Sequence, residues 1–96
     1  MKSKKETEDF YKRLKIQLEE NSSWPSVYLY KFIVPNDIIK TSKIESIFIG
    51  TKALISKRNS SKGTYTSVSV KVTMKSPDAV IEKYLEVSKI EGVISL

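Results

Sequence analysis

Between Tyr65 and Met74 the chain alternates with a period of two: Val68, Val70, Val72 and Met74 fall on one side, and Tyr65, Ser67, Ser69, Lys71 and Thr73 on the other. Successive side chains of a strand point to opposite faces, so this pattern predicts a strand with one apolar and one hydrogen-bonding face. The valine face must meet a core. The opposite face suits water, a ligand or another subunit. Ser60-Ser61-Lys62-Gly63 precedes it and reads as the turn that brings the chain into this strand.

Ser26 to Val34 is a second strand, rich in aromatic and β-branched residues. Tyr28, Tyr30, Phe32 and Val34 share one parity, and Val27, Leu29, Lys31 and Ile33 the other. Lys31 belongs on the open side, which puts the aromatic row in the core. Leu29 and Ile33 then share the open face with Lys31, and such a face is too apolar to be left bare. An N-terminal helix or a second subunit is expected to cover it.

That helix is predicted over about 6–20, starting near Thr7, with Phe10, Leu14 and Leu18 as its apolar stripe and Tyr11 at the stripe's edge. Residues 1–5 are expected to be disordered. Asn21-Ser22-Ser23 breaks the helix and Trp24-Pro25 gives an extended exit. Trp24 is expected to plug the gap between helix and main body, with ligand stacking as the alternative. Pro35-Asn36-Asp37 stops the first strand and caps a helix running to about Phe48, whose stripe is Ile44, Ile47 and Phe48 with one of Ile38 or Ile39. Ala53 to Asn59 is a weaker strand of open parity. Ser76-Pro77-Asp78 starts a helix that carries Val80, Ile81, Tyr84 and Val87 inward and ends at Gly92, before a short strand over Val93 to Leu96.

After the first helix the order is therefore β-α-β-β-α-β. Two strand–helix–strand units with right-handed crossovers give a ferredoxin-like α+β sandwich: a four-stranded antiparallel sheet with two helices on one face. The domain organisation expected is one domain over 1–96, with the ferredoxin-like core at 26–96 and the helix in front of it.

Composition narrows the function. Cysteine and histidine are both absent, which removes a disulfide framework, thiolate chemistry, Cys-based zinc and the commonest general base. The eleven carboxylates are scattered, and Glu19–Glu20 is the single adjacent pair of glutamates. No metal, no cofactor and no catalysis are expected. No apolar run approaches the ~20 residues of a membrane span, and no apolar segment follows the basic start to make a secretory signal. A cytoplasmic setting is the expectation. The net charge is +6, concentrated between Asn21 and Lys75, where nine basic residues face two acidic ones. Such a centre attracts anions, although a solvated lysine-rich surface has the same composition.

The run Ser61-Lys62-Gly63-Thr64-Tyr65-Thr66-Ser67-Val68-Ser69, with the Trp24-Pro25 and Tyr30-Lys31 steps and the ending around Tyr84 and Lys89-Ile90-Glu91, resembles the YbeD-like family of small bacterial proteins of unknown function. The resemblance implies a fold close to the ACT domain, a regulatory ferredoxin-like module that pairs and binds amino acids at the subunit seam. Here Pro35-Asn36-Asp37 stands where ligand-binding ACT domains carry a glycine-rich loop.

Three readings of function follow. The first is a non-catalytic regulatory or interaction module, a homodimer or a binder of a partner protein, working through Leu29, Lys31, Ile33, Tyr65, Ser67, Ser69 and Lys71. The plainer alternative is that the N-terminal helix buries Leu29 and Ile33. The second reading is a small anionic ligand held at Ser60, Ser61, Lys62 and Gly63, against an ordinary hairpin in which Gly63 supplies the positive φ. The third is RNA binding, which shares this fold. The pattern argues against it, because Lys62-Gly63 is followed by Thr64-Tyr65-Thr66 where RNA-recognition motifs place two stacking rings.

Overall fold

The computed structural model describes residues 4–96. Its elements are α1 (Lys4–Asn21), β1 (Ser26–Pro35), α2 (Ile38–Ile47), β2 (Leu54–Asn59), β3 (Tyr65–Met74), α3 (Pro77–Ser88) and β4 (Ile94–Ser95). The disorder expected for Met1 to Ser3 lies outside the described residues, whereas Lys4 and Lys5 already belong to α1. The strands form one antiparallel sheet in the order β2-β3-β1-β4. With α2 and α3 on one face, this is the ferredoxin-like βαββαβ arrangement carrying an N-terminal helix.

The alternation in β1 and β3 places the core. Tyr30, Phe32, Val34, Val68, Val70, Val72 and Met74 are buried under Ile44 and Phe48 of the α2 segment and Val80, Tyr84 and Val87 of α3. In the pairing of the two long strands Tyr30 stands opposite Val70 and Phe32 opposite Val68. Tyr30 is the hub of the rings. Its centroid lies 5.6 Å from Phe32, 5.1 Å from Phe48 and 4.9 Å from Tyr84, and each such pair adds about 0.5–1.5 kcal/mol beyond the area it buries. The Tyr30 hydroxyl donates to the Val80 carbonyl at 2.9 Å, so the one polar atom of the hub is satisfied.

Caps set where the helices begin. Asp37 accepts from the Ile39 amide at 2.8 Å and starts α2. Ser76 accepts from the Ala79 amide at 3.1 Å, with Pro77 in the first turn, and starts α3. Lys83 joins the two helices: its ammonium donates to the Ile47 carbonyl at 2.7 Å, where the negative end of α2 favours a cation. On one point the expectation for α2 fails. Ile38 is 80% exposed and Ile39 64%, so neither completes the buried stripe. Thr41 is the buried residue there instead, and its hydroxyl bonds back to Ile38 O.

The larger correction concerns α1. It does not cross the open face of the sheet but lies in the helical layer beside α3. Tyr11 approaches Tyr84 at 6.3 Å between centroids, and Lys15 pairs with Asp78 at 3.0 Å. That hydrogen bond, followed by the carboxylate's charge, raises the pKa of Lys15. Leu14, Leu18 and Tyr11 pack on the core, while Phe10 stays half exposed. Trp24 fills the corner as expected, donating from Nε1 to Leu18 O at 3.1 Å. No described helix is long and apolar enough to cross a membrane.

Candidate functional site: the open face of the sheet

With α1 elsewhere, no described helix covers one face of the sheet, and strand register determines what that face presents. Leu54 of β2, Lys71 of β3 and Leu29 of β1 form one cross-strand row. Ser56, Ser69 and Lys31 form the next, and Arg58, Ser67, Ile33 and Ile94 the third. Leu29 is 64% exposed and Leu54 71%. Val27 and Ile94 are exposed on the same side.

The residues expected on this face are all there, but they divide between two concavities. Lys31, Ile33, Tyr65 and Ser67 line a groove of about 590 Å³ with Arg58, Asn59, Ser60 and Ser61. Leu29, Ser69 and Lys71 line a separate one of about 280 Å³ with Leu54 and Ser56. Arg58 and Leu54 were missing from the sequence expectation. Their parity depends on pairing with β3, and β2 shows no alternation of its own.

The hairpin turn uses many of its polar groups internally. The Ser60 amide donates to Tyr65 O at 2.8 Å, the Gly63 amide to Ser60 O at 2.9 Å, and the Tyr65 amide to Ser60 Oγ at 3.1 Å. Gly63 has φ +72. Asn36 ties the turn to the start of α2, donating from Nδ2 to Gly63 O at 2.8 Å and from its amide to Thr64 O at 3.0 Å. Thr66, buried behind the turn, donates to Asn59 Oδ1 at 3.0 Å and lies 3.2 Å from Asn36 Oδ1. Ser60 and Ser61 therefore reach the groove from a braced loop, whereas Lys62 and Gly63 are not among the groove's lining residues.

Charge is divided sharply in this fold. The strands carry Lys31, Lys57, Arg58 and Lys71 and no Asp or Glu. Lys57 points to the helical side and pairs with Glu45 at 2.8 Å. Among the described residues no carboxylate lies within salt-bridge distance of Lys31, Arg58 or Lys71. The open face thus carries one cation in each of the three rows, on a different strand each time, with aliphatic residues in the outer rows and serine between. It can hold carboxylate or phosphate groups and bury aliphatic surface. Tyr65 is the one ring among its strand residues.

A further cavity of about 420 Å³ lies on the helical side, between Phe10, Tyr11 and Leu14 of α1 and Tyr28 and Tyr84 of the body. The Tyr28 and Tyr84 hydroxyls bond at 2.8 Å. Burial first, and that hydrogen bond second, push the Tyr84 phenol well above its ordinary pKa. Among the described residues no cluster of three or more acidic side chains is placed to hold a metal ion.

Residues 19–96 match a family described as "Protein of unknown function (DUF493)". Over 60 residues, 62% of this chain, the sequence is 35% identical to a UPF0250 protein of Shewanella woodyi, of which the match covers 51%. The chain thus spans about half the length of the curated relative it matches. No solved structure matches it.

Proposed function

The chain belongs to the DUF493 family, and from that premise we propose that it is a non-catalytic regulatory module that works by binding a partner protein across the open face of its sheet. The observation that carries this reading is the exposure of Leu29 and Leu54 side by side on β1 and β2 with Lys71 between them. Aliphatic surface in contact with water favours association by roughly 25 cal/mol per Å² buried. The mixture of apolar and hydrogen-bonding groups matches the composition of non-obligate interfaces. The absence of cysteine suits a cytoplasmic setting. The test is the size of the tagged full chain in extract of its native cell. Wild type should elute well above the 11.0 kDa of one copy, and Leu29→Asp with Leu54→Asp should return it to monomer mass. Elution of wild type as a monomer in extract would end the proposal.

A second reading has its own support. Lys31 and Arg58 converge with Ser60, Ser61 and Tyr65 on the 590 Å³ groove, which offers two cations and several hydroxyls to a small carboxylate or phosphate. Calorimetric titration with amino acids and nucleotides checks it. Affinity lost in Arg58→Gln would support it, and no heat from any of them would remove it.

A further inference from the structure

The occupant of the open face is specified by its charge. We infer that it is an acidic amphipathic segment of another protein, one that carries aliphatic residues together with carboxylates about one helical turn apart. This inference rests on the reading of the face as an association surface and adds the chemistry of the partner.

Lys71, Lys31 and Arg58 stand in successive cross-strand rows on β3, β1 and β2. Diagonal neighbours on adjacent strands lie ~7–8 Å apart. Carboxylates at i and i+4 of a helix start ~5–6 Å apart at Cβ and have rotatable stems, so one helix face can reach the Lys71–Lys31 diagonal. The same helix would lay its apolar residues on Leu29 and Leu54, which flank Lys71 in the register. These three cations have no carboxylate partner among the described residues, so an arriving acidic group need break no existing ion pair.

Two other occupants fit less well. A second copy docked face to face by a two-fold axis brings the same patch onto itself. The cations of one copy would then face the cationic patch of the other, with no Asp or Glu on any strand to intervene. A single-stranded nucleic acid would find its phosphates matched but its bases unmatched. Base recognition needs stacking rings, and the strand residues of this face provide Tyr65 beside exposed Val27, Leu29, Leu54 and Ile94.

The test places a photoreactive benzoylphenylalanine at Ser69, the centre of the face, or at exposed Ser56 should that variant melt early, in the full chain in its native cell. The inference expects an adduct with another protein, cross-linked in a segment rich in Asp, Glu and aliphatic residues. Lys31→Gln, Arg58→Gln and Lys71→Gln should each lower its yield by about threefold to fivefold, and about 0.5 M salt should lower it in lysate cross-linking. An adduct with a second copy, or with a protein segment lacking carboxylates and indifferent to the three substitutions, overturns the acidic partner and leaves the association surface standing. A nuclease-sensitive adduct, or a yield no higher than from the same group at Glu82 on α3, overturns both.

Discussion

The hydroxyls of Tyr28 and Tyr84 lie 2.8 Å apart and join the first half of β1 to the inner side of α3. Tyr84, Tyr30 and Tyr11 all have raised pKa values, with burial the leading cause in each case. A buried phenol stays protonated at a pH where the unfolded chain has begun to ionise. The unfolded state then holds fewer protons, so stability is fully present below about pH 10 and falls as pH rises further. Thermal melts should be level to about pH 9 and decline above about pH 10. Tyr84→Phe should lower stability at neutral pH by about 1 kcal/mol and make the alkaline decline shallower. An unchanged alkaline slope in that variant would exclude Tyr84 as a contributor.

Gly92 is held at φ +83, and a Cβ there would come within 3.1 Å of Pro35 Cγ and 3.2 Å of Cδ. The left-handed backbone alone costs a side-chain-bearing residue about 1–2 kcal/mol, and the proline ring has limited room to yield. Gly92→Ala should therefore lower the unfolding free energy measured in urea by more than that backbone term. A free energy equal to wild type would show that the loop before β4 rearranges freely.

Lys52 has the opposite problem, since it already occupies φ 61 without being glycine. Lys52→Gly should stabilise the fold by up to about 1 kcal/mol by removing the left-handed penalty, less the extra freedom glycine has when unfolded. Chemical denaturation decides it, and a loss of stability would mean that the lysine side chain contributes more than its backbone costs.

Neighbouring positions on β3 should behave differently when replaced. Val70 is buried against the rings and Lys71 faces out. Val70→Ala should cost about 2 kcal/mol through lost burial and the cavity left behind. Lys71→Ala should stay within about 0.5 kcal/mol in the isolated chain. Equal losses at both positions would contradict the facing described.

How far the sequence shows this structure depends on how much each segment reveals by itself. The alternation in β3 and the aromatic row of β1 identify the core unaided, because each face has one kind of chemistry. β2 does not: Leu54 and Ile55 are adjacent apolar residues followed by Ser56, Lys57 and Arg58, and only pairing with β3 turns Leu54 and Arg58 outward. For α1 the spacing of Leu14 and Leu18 declares an apolar side without saying what that side meets. The answer lies in Tyr84 and Asp78 of α3, far along the chain. Ile38 and Ile39 show that hydrophobicity is not burial at the first turn of a helix: both stay exposed while polar Thr41 is buried.

The strand order also has a bearing on unwanted assembly. One rim of the sheet is β4, two residues long, and the other is β2, which carries Lys57 and Arg58. A short border and a charged border both discourage another chain from extending the sheet sideways. Sideways growth is disfavoured at both rims, so the exposed Leu29 and Leu54 on the broad side of the sheet need not also seed fibres.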